Sequence, residues 1–285
     1  MKKIFALVFV FALMFSISAQ ASTVLVQGLS VPADAEYLDL GKTQVKGYPR
    51  FMEELESLPS LKQVDMYNSR PTEKQVWALV NGFPELRFGM TLTVAGFRCR
   101  TDDVIFSMHR RGEPLYKSSA FAQLTLCPDM LAFDLGHNKI TDLDFLKATP
   151  KLKYLILADN KITDLSPLAE LKDLQYLEIF MNQVTDLSPL SELTELVDLN
   201  LCYNQVTDLS PLYGLKKLER IWLSKNGLSQ EEIQALQEAL PQAEINSTVI
   251  LSTQGGWREH PRFFAMRHTF DRGVFEAFED IPAKE

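Results

Sequence analysis

The sequence predicts an α/β solenoid, a curved horseshoe whose inner side is a sheet of short parallel strands and whose outer side is made of 3₁₀ turns or short helices. Three observations predict this fold. An asparagine recurs at 22-residue intervals, at Asn138, Asn160, Asn182, Asn204 and Asn226. A Leu-x-x-Leu-x-(Leu/Ile) pattern precedes it, and Thr-Asp-Leu-Ser-Pro-Leu follows it in three consecutive copies. One such unit cannot bury its apolar face alone, so the units must stack.

Each part of the unit has a predicted structural role. In the copy LQYLEIFMNQVTDLSPLSEL, Leu174, Leu177 and Ile179 point to one side of a short strand, and the residues between them point to the other. One face of the sheet is therefore core, and the other is expected to be free. The recurring asparagine is expected to pair buried backbone groups as a ladder. The serines of the three Ser-Pro-Leu segments, Ser166, Ser188 and Ser210, are expected to cap a helical turn that begins at the proline.

These units resemble leucine-rich repeats. The copies that begin at Leu152, Leu174 and Leu196 carry the segment N-x-[IV]-T-D-L-S-P-L, which is similar to the 22-residue repeats of bacterial internalins. The resemblance covers about residues 130–228. It implies a leucine-rich-repeat horseshoe in an exported bacterial protein that binds another macromolecule. It does not name the partner, because family members share a scaffold and differ in what they bind.

The chain divides into four predicted parts: a signal peptide at 1–21, irregular repeats at 22–129, regular repeats at 130–246 with a helical last repeat, and a C-terminal cap or tail at 247–285. The repeats are expected to form one continuous horseshoe over residues 22–246. In the irregular part, strand patterns begin at Ala35 and Leu61, and amphipathic outer helices follow at 51–58 and 72–81. Between residues 86 and 129 the register stays open. The expected elements there are strands near 90–95 and 123–126 and an outer segment at 101–109.

The last repeat has clear helix signals. Ser229 and Glu232 form the pattern of a capping box, and the helix is expected to continue through Leu240, just before Pro241. A final strand is predicted at 243–246. A helical terminal repeat is typical of a cap on an open solenoid, since a terminal repeat must present a polar outer face.

The N-terminus predicts export. Lys2 and Lys3 precede an apolar run from Ile4 to about Ile17, and Ala19-Gln20-Ala21 follows it, so cleavage is expected after Ala21. The alternative, a membrane anchor, needs about 20 apolar residues. We therefore expect a secreted or cell-surface protein without stable membrane insertion. Cleavage would change the net charge from −8 to −10, because it removes two lysines and no acid. An acidic chain argues against nucleic-acid binding.

The predicted free face carries an unusual set of aromatic and acidic side chains, and we identify these as the candidate site for a protein or peptide partner. The candidate residues are Tyr154, Tyr176, Glu178, Phe180, Asp198, Tyr203 and Trp222. Tyrosine and tryptophan dominate binding hot spots, and four rungs at about 4.8 Å spacing would span roughly 14 Å. The alternative is that aromatic stacking between strands only stabilises the sheet. Together with Asp134, the acidic members favour a partner with some positive charge.

No GxSxG, HExxH or P-loop pattern is present, so the sequence predicts a non-enzymatic protein with no cofactor or metal. Two alternatives remain: a metal-dependent or enzymatic activity built from Glu259, His260, His268 and Asp271, and a purely structural surface protein. The three cysteines allow at most one internal disulfide, for which Cys99 and Cys127 are a possible pair.

The C-terminal tail has two interpretations. It alternates the aromatic residues Trp257, Phe263, Phe264, Phe270, Phe275 and Phe278 with the arginines Arg258, Arg262, Arg267 and Arg272. It could fold over the last repeat as a cap, or it could present a basic, aromatic patch to a membrane surface or polyanion. Burial of its aromatic side chains against the solenoid would favour the cap.

Overall fold

The computed structural model describes residues 22–108 and 115–280. The predicted signal peptide, residues 1–21, lies outside these residues. The irregular part begins with an antiparallel hairpin and a three-stranded parallel sheet with two helices on its outer side. The hairpin is β1 (Thr23–Val26) and β2 (Leu29–Pro32), the sheet is β3 (Tyr37–Asp39), β4 (Gln63–Asp65) and β5 (Arg87–Gly89), and the helices are α1 (Tyr48–Glu56) and α2 (Glu73–Gly82). The two outer helices that the sequence predicts are therefore present.

A second hairpin, β6 (Thr91–Val94) and β7 (Phe97–Arg100), separates this sheet from the rest of the solenoid. The predicted horseshoe over residues 22–246 is interrupted at this hairpin, since within the described residues the parallel strands form two sheets and not one. The hairpin turns at Ala95 and Gly96, whose φ values of 49° and 80° match the positive φ that tight two-residue turns require. Ala-Gly is not one of the strong turn dipeptides, so the sequence pattern did not indicate this turn.

Two further expectations for residues 86–129 are wrong. Residues 123–126 lie in a 3₁₀ helix, Ser118–Leu126, because Phe121 and Leu124 are three residues apart and both pack into the core. The predicted outer segment 101–109 instead contains a strand, β8 (Ile105–Ser107). Phe106 points into the core and its two neighbours point to the other face, which is the alternation of a solenoid rung. His109 lies outside the described residues.

The regular repeats form a seven-stranded parallel sheet in the order in which the strands follow one another in the chain. After β8 its strands are β9 (Ala132–Asp134), β10 (Tyr154–Ile156), β11 (Tyr176–Glu178), β12 (Asp198–Asn200), β13 (Arg220–Trp222) and β14 (Glu244–Asn246). Equivalent positions pair directly, so Tyr154 is opposite Tyr176, and Tyr176 is opposite Asp198. The convex side has 3₁₀ helices at 144–148, 166–168, 188–190 and 210–212, and α3 (Gln230–Ala239) begins with the predicted capping box.

The recurring asparagines form the predicted hydrogen-bond ladder. The Asn182 Oδ1 accepts a hydrogen bond from the Ile162 N–H at 3.0 Å. Its Nδ2 donates to the carbonyls of Leu157 and Ile179, both at 3.0 Å. The same arrangement recurs at Asn160, Asn204 and Asn226. Each asparagine therefore ties its own repeat to the preceding one through backbone groups that would otherwise be buried unpaired.

The convex turns are capped by aspartate rather than by serine, which corrects the sequence expectation. The backbone N–H of Ser166 donates to the Asp164 Oδ1 at 2.8 Å, and Ser188 and Ser210 make the equivalent bond to Asp186 and Asp208. The serine is itself the first residue of the 3₁₀ turn, and so its hydroxyl is not placed to cap it.

The chain ends with α4 (Pro261–Arg272) and a 3₁₀ turn at Phe278–Asp280, which return to the inner side of the solenoid. The leucine and isoleucine side chains of the rungs form the main core between the sheet and the convex turns. A second apolar cluster lies on the inner side, between the sheet and the last residues of the chain. No helix within residues 22–108 and 115–280 is long and apolar enough to cross a membrane.

Candidate partner-binding groove

All seven candidate residues lie on one surface, the inner side of strands β10–β13 and the residues just after them; we call the inner side of β8–β14 the concave face. The expectation that this face is free is wrong. Tyr154, Tyr176, Asp198 and Trp222 have no exposed surface, Glu178 and Phe180 are about 5% exposed, and Tyr203 is half-buried. Residues 247–280, which we call the C-terminal segment, cover them.

Aromatic side chains of the C-terminal segment interleave with those of the face. The Trp257 ring lies between Tyr176 and Trp222, with centroid distances of 5.7 and 5.2 Å. Phe275 and Phe278 pack on Tyr154 at 4.8 and 4.6 Å. These distances are within the range in which aromatic pairs attract one another beyond simple burial. The contacts make the concave face a second hydrophobic core.

Side chains of the face also hold the backbone of the segment. Five side-chain donors reach main-chain carbonyls: Tyr203 Oη to Ile250, Asn200 Nδ2 to Ser252 (2.7 Å), Trp222 Nε1 to Gln254 (2.8 Å), Arg220 Nη1 to Trp257 (3.1 Å) and Tyr154 Oη to Glu276 (2.6 Å). Every polypeptide offers such carbonyls. The face therefore holds the main chain of the C-terminal segment through groups that do not depend on the side chains of that segment.

A buried carboxylate joins the face to the segment electrostatically. The Asp198 carboxylate accepts two hydrogen bonds from the Arg220 guanidinium, at 2.9 and 2.6 Å, and two from that of Arg262, at 3.0 and 2.8 Å. Arg262 also reaches Glu219 at 2.6 Å. Burial tends to raise the pKa of Asp198, but the hydrogen bonds from the two arginines outweigh it and lower that pKa. The positive charge that the acidic face was predicted to meet is supplied by the chain itself.

Glu178 recognises the indole of Trp257. Its Oε1 accepts a hydrogen bond from the Trp257 Nε1 at 2.7 Å and a short one from the Tyr176 hydroxyl. Burial raises the pKa of Glu178 despite these two donors. The protonated, neutral form of the carboxyl is therefore favoured at this site relative to an exposed glutamate.

The C-terminal segment does not fill the concave face. A cavity of about 280 Å³ remains beside Ile156, Ala158 and Phe180, and Arg258 and Met266 of the segment form part of its other wall. It also adjoins the carboxyls of Asp134 and Glu178. The cavity is therefore lined by both apolar and charged side chains.

The interpretation of the tail as a cap is supported, with a change of place. Most of its aromatic side chains are buried or partly buried against the solenoid, as that interpretation requires, but they cover the concave face rather than the end of the last repeat, and Phe264 is half-exposed. Among the arginines, Arg262 is mostly buried, whereas Arg258 and Arg272 are exposed. The basic, aromatic patch is therefore used only in part inside the molecule.

The residues proposed for a metal or catalytic site in the tail do not gather. The His260 Nδ1 accepts from the Arg262 N–H at the start of α4, His268 lies 3.6 Å from Glu276, and Asp271 pairs with Arg267. Within the described ranges, no group of three or more His, Cys, Asp or Glu side chains is placed to hold a metal ion. The Cys99 and Cys127 Sγ atoms lie 3.8 Å apart as buried thiols, so their pairing stays a prediction.

Sequence reasoning missed two residues of the groove, Asn200 and Arg220. Both occupy positions between rung leucines, so the register places them on the concave face. Neither residue is aromatic or acidic, and these two features define the candidate set. Donors to backbone carbonyls are an equally good criterion for a surface that holds a peptide.

The stacked, in-register rungs and the asparagine ladder define a repeat protein of the parallel-sheet solenoid class. The family model described as "Leucine Rich repeats (2 copies)" matches residues 150–192 and 194–238. Residues 150–238 therefore carry leucine-rich repeats, as the repeat pattern predicted. No curated protein matches the chain.

Three solved structures illustrate the likeness. Internalin C2 of Listeria monocytogenes is 25% identical over 77% of this chain and 85% of that one, with a TM-score of 0.45. A second Listeria monocytogenes internalin, InlF, is 22% identical over 80% and 74%, with a TM-score of 0.37. A leucine-rich-repeat protein of Leptospira interrogans is 24% identical over 74% and 54%, with a TM-score of 0.39.

Proposed function

We propose that this protein is an exported, non-enzymatic binding protein that holds a protein or peptide partner on the concave face of its solenoid. The contact residues are Tyr154, Tyr176, Glu178, Phe180, Asp198, Tyr203 and Trp222. One observation carries the proposal: side chains of this face donate to five main-chain carbonyls of a polypeptide, the C-terminal segment. Extended solenoid surfaces of this kind are used for binding.

Because the C-terminal segment occupies the same residues, the partner must displace all or part of it. The incomplete filling of the face supports this, since the cavity beside Phe180 leaves apolar surface without a packing partner. A partner that also fills this space would make contacts that the segment does not make.

A second candidate, a structural surface protein with a permanently closed concave face, is favoured by one observation. Trp257, Met266 and Thr269 of the segment have no exposed surface, which is typical of an integral core. Under this candidate the segment completes the fold, and the concave face binds nothing from outside.

A selection from a random phage-displayed peptide library separates the two candidates. The target is the mature chain from residue 22 carrying Arg262→Ala, which weakens docking of the segment at Asp198. The proposal predicts enriched peptides that bind this variant more tightly than the wild type. Their binding should be lost when Trp222→Ala is added and kept when Tyr213→Ala is added, because Tyr213 lies on the convex side. Selected peptides that are indifferent to Trp222→Ala, or no enrichment at all, would contradict the proposal.

Export is tested independently. The full chain is expressed in a bacterium, and the N-terminus of the extracellular or periplasmic product is determined by mass spectrometry. A product that begins at Ser22 supports export with cleavage after Ala21. Retention of the uncleaved chain in the cytoplasm contradicts it.

A further inference from the structure

We infer that the C-terminal segment is an internal ligand, and that the outside partner of the concave face is a polypeptide of the same chemistry: a tryptophan followed, five residues later, by an arginine. This inference rests on the proposed function and deepens it by naming the partner chemistry. It is carried by three contacts that the segment makes, each of which selects a different feature of a peptide.

The first contact selects an indole. The Trp257 ring is enclosed by the rings of Tyr176 and Trp222, and the Arg220 guanidinium lies 4.6 Å above it. Its N–H donates to the buried Glu178 carboxyl. A phenylalanine would fill part of this space but would leave the carboxyl with the Tyr176 hydroxyl and without the indole donor, and losing a hydrogen bond to a buried carboxyl is unfavourable. The site therefore prefers tryptophan to other aromatic residues.

The second contact selects a guanidinium. Asp198 is already paired with Arg220, and its remaining lone pairs face Arg262, which binds both carboxylate oxygens and Glu219. Without Arg262, the two carboxylates and one guanidinium of the face carry a net charge of −1. A lysine could neutralise this charge, but it cannot form the paired hydrogen bonds of the planar arginine fork. In the C-terminal segment Arg262 follows Trp257 by five residues, and this sets the spacing between the tryptophan and the arginine of the motif.

The third contact holds the backbone of the peptide before the tryptophan. The carbonyls of Ile250, Ser252 and Gln254 accept hydrogen bonds from the face at every second residue, so this part of the ligand is held through its backbone. Gly255 and Gly256 then turn the chain toward the indole site with φ values of 69° and 90°, which other residues rarely adopt. A Cβ at position 255 would lie 2.6 Å from the Asn246 side chain. Small, flexible residues directly before the tryptophan are therefore part of the recognised pattern.

Because the C-terminal segment already occupies the site, an outside partner must compete with it. A tethered segment acts at an effective concentration of about millimolar for a short flexible linker. The apparent affinity of an outside peptide equals its intrinsic affinity multiplied by the fraction of molecules whose face is open. Weakening the segment should therefore increase binding of a peptide that carries the intact motif, without any change in the face.

The probe is a fluorescein-labelled peptide of residues 248–280, and binding is measured by fluorescence anisotropy to the mature full-length protein. Trp257→Ala and Arg262→Lys are two independent variants that weaken the internal ligand. Phe264→Ala is the matched control, because Phe264 is in the same segment but half-exposed and outside the contacts with the face. We expect both weakened variants to bind the probe at least about 10-fold more tightly than the wild type and the control do.

The probe itself is varied to test the motif. Replacing its tryptophan by alanine should weaken binding by about 30-fold, as for a hot-spot residue, and replacing its arginine by lysine should weaken it by about 10-fold. Equal binding of the altered and unaltered probes would overturn the inference. So would the absence of probe binding to both weakened variants when their circular dichroism matches that of the wild type.

The proposed function and the inferred partner chemistry can be contradicted separately. If library peptides bind the face in a Trp222-dependent manner but the probe does not, the partner chemistry is wrong and the proposed function stands. If neither library peptides nor the probe bind, both are wrong.

Discussion

The buried carboxylate Asp198 offers the sharpest test of how the C-terminal segment is held. Replacing Asp198 by alanine leaves Arg220, which is 3% exposed, without its carboxylate. Removing one member of a buried ion pair costs about 3–5 kcal/mol. Replacing Arg262 by alanine should cost less, about 2–3 kcal/mol, because Asp198 keeps its bond to Arg220 and hydrogen bonds to a charged group contribute about 1.5–3 kcal/mol. The bond from Arg262 to the half-exposed Glu219 adds at most about 1 kcal/mol.

The double variant should therefore lose less than the sum of the two single variants. We expect a coupling energy of about 1.5–3 kcal/mol between Asp198 and Arg262, within the range for residues of one network. The measurement is urea unfolding at pH 7, followed by circular dichroism and by tryptophan fluorescence. Arg272→Ala is the control, since that arginine is 65% exposed and should change stability by less than about 0.5 kcal/mol.

The two probes also show whether the segment opens as a unit. If Arg262→Ala shifts the fluorescence transition, to which Trp257 contributes, and leaves the circular dichroism transition in place, the segment separates before the solenoid unfolds. A coupling energy below about 0.5 kcal/mol would refute the reasoning, because the ion pair would then not contribute to docking.

Three further predictions concern single features of the fold. Glu178→Gln should raise the melting temperature by an amount that is near zero at pH 4 and grows toward pH 8. Burial raises the pKa of the Glu178 carboxyl, so ionisation of this carboxyl above its ordinary pKa lowers the stability of the wild type. No gain in melting temperature at pH 8 would contradict this. Asn182→Ala should lower the free energy of unfolding in urea by about 3 kcal/mol, because it leaves several buried backbone groups unpaired. Asn226→Ala should lower it by less, because Asn226 is half-buried. Equal losses for the two variants would argue against burial as the cause. Mild oxidation should form a disulfide between Cys99 and Cys127, which mass spectrometry would detect as a loss of two hydrogens. The bond should stabilise the fold by about 3–4 kcal/mol, given the length of the loop between the two cysteines. Two thiols that persist after oxidation would exclude the bond.

The regular repeats could be predicted from the sequence almost completely, because their structure is decided within one unit and its neighbours. The asparagine at each 22-residue step fixes the register, and the alternation of residues such as Leu177 and Glu178 fixes which side chains are core. The helix after Ser229 follows from local capping chemistry. These signals are short-range, so tertiary context does not override them.

The irregular part could not be predicted to the same extent. The turn at Ala95-Gly96 lacks a strong turn dipeptide, and the segment 118–126 has a run of small and apolar residues compatible with strand or helix. Its 3₁₀ form is decided by packing of Phe121 against Phe145 of the next turn, at a centroid distance of 5.9 Å. This contact joins residues 24 positions apart in the sequence, so the local pattern of the segment does not indicate it.

The repeat register locates the candidate site, but it does not show whether that site is exposed to solvent. The aromatic character of Tyr176 and Trp222 makes an exposed face a good binding surface, and the same character makes it a surface that the chain's own aromatic residues will cover. The sequence does contain the complementary partner: Trp257 and Arg262 lie in the region that follows the repeats, and their types match the aromatic and acidic residues of the face. What the sequence lacks is the distance information that would place Arg262 on Asp198 rather than on another carboxylate. A concave face rich in aromatic and acidic residues, in a chain whose tail is rich in aromatic residues and arginine, should therefore be examined first for self-occupancy. An outside partner then has to be considered as a competitor of the tail.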